Sequence, residues 1–147
     1  MTSKRIVCAT DFSRASLAAF RYALEAARRD DAELTILHVL PSPVPLDVTG
    51  QVSVRMYEEM EAAIRKLADR RMEQLLRRAR RARVRARALL LEGPASEAIV
   101  RGARDIGARL IVIGTHGRSG LMRFLAGSVA TRVVASARCP VVTVRSQ

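Results

Sequence analysis

A short apolar run is followed by three glycines and a serine at a spacing that suits phosphate binding. The run is residues 110–113, and the residues after it are Gly114, Gly117, Gly127 and Ser128. Glycine has no Cβ, so Gly114 and Gly117 would let the backbone come close to a ligand. Gly127-Ser128 starts a predicted helix, whose free amides and positive dipole end attract anions, and Ser128 adds a hydroxyl. The stretch therefore predicts a phosphate site.

This glycine spacing differs from the common phosphate-binding loops, since it has neither Gly-Lys-Ser/Thr nor GxGxxG. His116 is the one candidate for a catalytic base, but no nucleophile or orienting carboxylate lies near it in sequence. We therefore interpret His116 as a loop residue or phosphate neighbour. Arg118 could neutralise phosphate charge. Thr115 and Val129, which adjoin these residues in sequence, are also predicted to bind the ligand.

Asp11 follows the first predicted strand and has two interpretations. It could cap the next helix. It could instead lie in a cleft and bind adenine, ribose or a metal ion held by phosphates. Its position after the strand favours the cleft.

Alternating strands and helices are predicted to position these residues. Apolar strands are expected at residues 4–10, 34–39, 84–91, 110–113 and 140–144, with a helix in each interval. Residues 41 to about 53, with three prolines, are predicted to be irregular. Strict alternation with apolar strands predicts an α/β fold, a doubly wound parallel sheet with helices on both faces. Ligands bind such sheets at the carboxyl ends of the strands, where the strand order switches.

The second helix is predicted to be long, from about Met56 to Arg81. Glutamates lie near its start and arginines crowd its end, as the helix dipole favours. Its apolar side is expected to consist of Met60, Ile64, Leu67 and Leu75.

The formal net charge of +12 over 147 residues comes almost wholly from arginine. Seven arginines lie between Arg77 and Arg87. We interpret this tract as a solvated face; contact with nucleic acid or an anionic surface is the alternative. The chain has no tryptophan and only two tyrosines on which bases could stack. This argues against a protein dedicated to binding single-stranded nucleic acid.

No apolar run approaches the roughly 20 residues of a membrane helix, and the first residues do not form a signal peptide. Cys8 and Cys139 have no metal-ligand spacing and are expected to be free, buried thiols. The composition thus predicts one cytoplasmic domain over residues 1–147 that does not enter a membrane.

The chain resembles the universal stress protein family along nearly its whole length. Nucleotide-binding members carry G-x2-G-x9-G-(S/T), which is matched here from Gly114 to Ser128. Further similar segments are "IVCATDFSRAS", "LTILHV", "EGPASEAIVRGARDIGARLIVIG" and "CPVVTVR". The family commonly has an acidic residue before the fourth strand, where this chain has Arg109, at a position we expect to lie away from the phosphates.

The resemblance implies a five-stranded parallel sheet in the order 3-2-1-4-5, a Rossmann-like fold of the adenine nucleotide alpha hydrolase type, and ATP binding. Mg²⁺ or Mn²⁺ is expected with the phosphates, and Asp11 is its candidate ligand. The resemblance also implies a homodimer through the edge strand from Val141 to Val144. Carried over by position, the site comprises Ala9, Thr10 and Asp11 after the first strand, Val39 at adenine, and Gly114, Gly117, Gly127 and Ser128 at ribose and phosphates.

The favoured function is an ATP-binding regulatory protein of the stress response, with slow or no hydrolysis. The sequence offers no Walker lysine and no paired carboxylates for phosphoryl transfer. A weak ATPase and a nucleic-acid or anionic-surface binder that uses the arginine tract are the alternatives.

Overall fold

The computed structural model describes residues 4–41, 53–115 and 126–146. In these ranges strands and helices alternate along the chain as predicted. In chain order they are β1 (Arg5–Ala9), α1 (Arg14–Asp30), β2 (Glu33–Val39), α2 (Val54–Arg81), β3 (Ala86–Leu91), α3 (Ala95–Ile106), β4 (Leu110–Thr115), α4 (Ala126–Ser136) and β5 (Val141–Arg145). No helix in the described ranges has both the length and the apolar character to cross a bilayer.

The five strands form one parallel sheet in the order β3-β2-β1-β4-β5, which confirms the predicted topology. The central strand β1 pairs with β2 on one side and with β4 on the other. The chain thus builds outward in one direction through β2 and β3, and then in the other through β4 and β5. The carboxyl ends of β1 and β4 flank the point where this direction changes, which is the usual ligand position in open α/β sheets.

Alternating side chains of β1 reach two separate cores on opposite faces of the sheet. Ile6 and Cys8 pack in the core that contains α1 and α2, whereas Val7 and Ala9 pack in the core that contains α3 and α4. All four are buried, as expected for a strand covered by helices on both faces. Burial raises the pKa of the Cys8 thiol to about 12, so this thiol stays protonated at neutral pH.

The predicted apolar side of α2 is partly wrong. Its buried residues are Ala68, Met72, Leu75 and Ala79, while Met60 and Leu67 are exposed. The helix has 28 residues, roughly 42 Å at 1.5 Å per residue, whereas the six residues of the adjacent β3 span roughly 20 Å. Only the carboxyl-terminal half of α2 can therefore be buried against the sheet.

β3 starts two residues later than predicted, because Arg83 and Val84 form the turn that ends α2. Arg83 adopts a left-handed conformation with φ of 59°, and the amide of Val84 donates to the carbonyl of Ala79 at 3.0 Å. This bond satisfies a carbonyl of the last helical turn. The strand then begins at Ala86.

Gly114 lets the end of β4 lie directly against the first turn of α1. A Cβ built on Gly114 would lie 2.4 Å from the carbonyl carbon and oxygen of Ala15 and 2.7 Å from the amide nitrogen of Ser16. These are backbone atoms that cannot rotate away. The sequence predicts that the missing Cβ of Gly114 allows close approach of a ligand, whereas in the structure it is the backbone of α1 that lies against this residue.

We predict that Gly114→Ala lowers the free energy of unfolding by about 1–3 kcal/mol, because the backbone of α1 or β4 must move. Gly102→Ala is the matched control. Its Cβ would lie 2.9 Å from the Cδ1 atoms of Leu37 and Leu91, which are flexible side-chain ends. Alanine also gains about 1 kcal/mol over glycine in a helix interior, which offsets that crowding.

Urea unfolding of both variants tests this difference. Equal stability of the two variants, or a Gly114→Ala protein as stable as the parent chain, would contradict the role given to Gly114.

Candidate functional site

A cleft opens at the carboxyl ends of β1, β2 and β4, beside the amino ends of α1, α3 and α4. Its described lining consists of Ala9, Thr10, Asp11, Ser13, Ser16, Leu37, His38, Val39, Ala95, Ile99, Ile113, Gly114, Val129 and Ala130. The position is the switch point that the sheet order predicts.

Six of the sequence-predicted residues come together in this cleft: Ala9, Thr10, Asp11, Val39, Gly114 and Val129. Gly127 and Ser128 lie in the first turn of α4, which begins at Ala126, one residue before the predicted start. Thr115 is the last residue of β4 and is not among the lining residues. His116, Gly117 and Arg118 lie outside the described residues.

Thr10 holds the turn between β1 and α1 in place. Its amide donates to the carbonyl of Leu37 at 2.8 Å and so continues the pairing of β1 with β2 beyond the last strand residue. Its hydroxyl donates to Ser16 Oγ at 3.1 Å and accepts from the amide of Phe12 at 3.0 Å. Buried Thr10 thus ties β2, the turn and α1 together at the floor of the cleft.

Asp11 lines the cleft, and the residue that caps α1 is Ser13. The Ser13 hydroxyl accepts from the amide of Ser16 at 3.2 Å, as an N-cap does. Asp11 Oδ1 accepts from the amide of Ser13 at 2.9 Å and supports the turn before the cap. The capping interpretation of Asp11 is therefore wrong, since another residue occupies the N-cap position.

The Asp11 carboxylate is exposed at the edge of the cleft. Desolvation by the surrounding protein acts to raise the pKa of Asp11, but hydrogen bonds from Ser13 and Ser16 outweigh it and lower this pKa below its ordinary value. Asp11 is the only acidic residue in the described lining. The described residues contain no group of three or more His, Cys, Asp or Glu side chains that could hold a metal ion. A metal here would therefore need further ligands from a bound molecule.

His38 is a lining residue that the sequence analysis did not select. Its Nδ1 lies 2.7 Å from the carbonyl oxygen of Thr10. A carbonyl can only accept, so Nδ1 carries the proton in this bond. The His38 ring also contacts the Phe12 ring, with centroids 4.4 Å apart. The sequence signal that could have identified His38 is its position as a single histidine among the apolar residues of "LTILHV".

Apolar side chains from three elements form the other side of the cleft. Leu37 is buried in β2, Ile99 in α3 and Ile113 in β4. The sequence pattern assigned such residues to the core, because periodicity does not distinguish a core position from a cleft wall. Together with the polar turn after β1, they create a slot that suits a flat, largely apolar ring with polar edges.

The amino end of α4 gives the cleft an anion-attracting side. Val129 and Ala130 line the cleft from the start of this helix. The first turn of α4 contains no acidic residue that would repel an anion. Backbone amides in the first turn of a helix have no intrahelical acceptor and carry partial positive charge. The arrangement can therefore take an apolar ring and an attached anionic group in one ligand.

The arginine tract lies outside this cleft and covers the end of α2 and the start of β3. Its interleaved Ala79 and Val84 are buried, so the arginines project outward. Four of them contact other side chains: Arg78 lies over Phe20, and ion pairs join Arg80 to Glu73, Arg85 to Asp31 and Arg87 to Glu33. These contacts fit the interpretation of the tract as a solvated face.

Arg109 also lies away from the cleft, at the amino end of β4. Its guanidinium donates to Asp30 Oδ2 at 2.8 Å, at the end of α1. Arg109, which replaces the acidic residue expected at this position, therefore forms an ion pair with Asp30 at the surface.

Comparisons with known proteins agree with the fold and identify the family. The model of the universal stress protein family matches residues 2–145. A universal stress protein of Methanocaldococcus jannaschii is 37% identical, over 97% of this chain and 82% of that protein.

Two solved structures cover nearly the whole chain. Universal stress protein UspA from Lactobacillus plantarum has a TM-score of 0.80 and 26% identity, over 99% of each chain. The universal stress protein from Archaeoglobus fulgidus in complex with dAMP has a TM-score of 0.66 and 25% identity, over 97% of this chain and 98% of that chain. With its matching sheet order and a family model that spans almost every residue, the chain belongs to the universal stress protein family.

Proposed function

We propose that this chain binds ATP in the cleft and acts in the cytoplasm as a nucleotide-dependent regulatory protein of the stress response. The observation that carries the proposal is the meeting of an apolar slot with the amino end of α4 at the switch point of the sheet. The dAMP complex of the Archaeoglobus fulgidus relative supports an adenine nucleotide as the ligand.

In the proposed complex the adenine ring lies against Val39, in the slot formed with Leu37 and Ile99. The ribose lies near Asp11 and Gly114, which line the same cleft. The phosphates lie at the first turn of α4, at Gly127 and Ser128, where the positive end of the helix dipole favours an anion.

Gly117 and Arg118, which lie outside the described residues, are proposed to contribute at the phosphates through the glycine spacing. Mg²⁺ or Mn²⁺ would be held mainly by phosphate oxygens, with Asp11 as its protein ligand. A carboxylate with a lowered pKa is ionised at neutral pH and suits this role.

We propose that binding, rather than turnover, is the function. Phosphoryl transfer needs a group that positions or activates the attacking nucleophile. Asp11 is the only acid in the described lining, and its lowered pKa makes it a weak general base. His116 is the remaining candidate from the sequence.

A homodimer through β5 is part of the proposal. β5 is an edge strand that pairs only with β4 in the described sheet. Its Val141, Val142 and Val144 are half-buried. Edge strands with apolar side chains are normally covered, and a second β5 would cover this one.

We predict that Gly127→Val weakens ATP binding about tenfold or more, equivalent to about 1.4 kcal/mol, because its side chain occupies the space that a phosphate needs. Valine is better tolerated than glycine inside a helix, so α4 is retained. Isothermal titration calorimetry with ATP and with adenosine measures the effect. Adenosine has no phosphate, so its affinity should change little.

Thr131→Val is the matched control, since it adds the same side chain at an exposed position of α4. Unchanged ATP affinity in folded Gly127→Val would contradict phosphate binding at this turn. Equal losses for ATP and adenosine would also contradict it.

We predict that His38→Leu destabilises the protein by about 1–3 kcal/mol, because the buried Thr10 carbonyl loses its donor. ATP affinity should fall several-fold, since Thr10 positions the turn at the cleft. His38→Asn restores a donor near the Nδ1 position and should recover most of both losses. Thermal unfolding and calorimetric titration of both variants test this. Equal behaviour of the two variants would exclude the hydrogen bond as the cause.

We predict a phosphate-release rate well below roughly 1 per second with Mg²⁺ or Mn²⁺, the low end of ordinary enzyme turnover. A steady-state assay of the parent chain and of His116→Ala measures it. Faster turnover that is lost in His116→Ala, with ATP affinity retained, would show an ATPase instead.

A further inference from the structure

The amino-terminal half of α2 has little contact with the rest of the described structure. No residue between 54 and 67 is buried, and the buried residues of this helix begin at Ala68. Tyr57 and Ile64 are half-buried and line a groove beside Leu40. Tyr57 and Ile64 therefore lie on the side of the helix that faces the rest of the domain.

A second apolar stripe lies on a different side of the same half-helix. It consists of Met56, Met60, Ala63 and Leu67, which we call the outer seam. Met56 is 50% exposed, Met60 40% and Leu67 50%, and Ala63 is also exposed. The intervals of four, three and four residues are those of a coiled-coil contact line. The next position of this line is Arg70, so the seam ends there.

The charges beside the outer seam change sign along the helix. Glu59 directly precedes Met60, and Lys66 directly precedes Leu67, so the two charges lie on the same side of the seam seven residues apart. Glu59 has an exposed ion pair with Arg55 at 3.3 Å, and such pairs contribute little. Lys66 has no ion pair within the described residues.

We propose that the outer seam docks on the outer seam of a second copy of this chain, with the two α2 helices antiparallel. The two-fold axis passes between Met60 and Ala63. Met60 then meets the partner's Ala63, and each Glu59 faces the partner's Lys66. A two-fold interface needs this self-complementarity, in which residue i contacts j and j contacts i. In a parallel pair Glu59 would face the partner's Ile64 instead, and the two opposite charges would not meet.

The same charges argue against a phosphate-rich partner at this surface. Residues 54–67 contain three glutamates and three basic residues, so this half-helix has no net positive charge to attract nucleic acid or an anionic membrane. The seam is also distinct from β5, because α2 packs on β2 and β3 while β5 is at the other edge of the sheet. Pairing through α2 therefore does not depend on the proposed β5 dimer or on nucleotide binding.

Charge reversal tests the geometry directly. In Glu59→Lys two lysines face each other at each contact between positions 59 and 66. In Lys66→Glu two glutamates face each other there. We expect each single variant to weaken self-association about tenfold, and so to lower the average mass observed at protein concentrations near the dissociation constant. An equimolar mixture of the two variants should recover the parent mass, because mixed pairs again oppose unlike charges. The double variant Glu59→Lys/Lys66→Glu should recover it as well.

Glu58→Lys is the matched control, because it makes the same change in net charge one residue away from Glu59 and outside the pairing side. Its mass should equal that of the parent chain. Analytical ultracentrifugation gives the masses, and circular dichroism confirms that each variant is folded.

A monomeric parent chain, or single variants with the parent mass, would overturn the proposal. So would a mixture of the single variants that stays dissociated. Binding of a monomeric parent chain to phosphatidylserine vesicles, lost in Leu67→Glu, would identify the seam as a membrane contact instead.

Discussion

Parallel pairing of β1 with both β2 and β4 is the constraint on which the rest of the structure depends. Parallel neighbours need a crossover between them, so every strand connection must cross a face of the sheet. The crossovers bury β1 on both faces and supply the two cores that its alternating side chains reach. They also bring the carboxyl ends of β1, β2 and β4 to one edge, with three helix amino ends beside them. The cleft is a consequence of this arrangement.

Short side chains and backbone groups hold the cleft in shape. Thr10, Ser13 and Ser16 satisfy one another and the amides of the first turn of α1. His38 satisfies the Thr10 carbonyl from the neighbouring strand. Within the described residues no buried side-chain nitrogen or oxygen lacks a hydrogen-bond partner. A polar turn that is already satisfied can present its remaining edge to a ligand without rearrangement, which lowers the entropic cost of binding.

The long helix α2 combines two surfaces with different physical roles. Its carboxyl-terminal half is anchored by small and apolar side chains, such as Ala68 and Met72, against the sheet. Its amino-terminal half extends beyond β3 and has an exposed apolar stripe. Isolated helical segments of this length are marginal in water, so a helix that leaves the body gains from a further contact. At its carboxyl-terminal end the alanines between the arginines, Ala79 and Ala82, pack toward the core, while Arg80 and Arg81 are exposed.

The sequence by itself determined the order of elements, the parallel topology and the end of the sheet at which the cleft lies. Local periodicity and the right-handed crossover rule predict a parallel sheet covered by helices. The resemblance to the family implies the strand order that brings the residues after β1, β2 and β4 together. Tertiary structure alone decided which of two stripes on α2 is buried, that His38 bonds to Thr10, and that Gly114 accommodates the backbone of α1. Each of these depends on the atoms across a gap between elements, and spacing along one element contains no information about them.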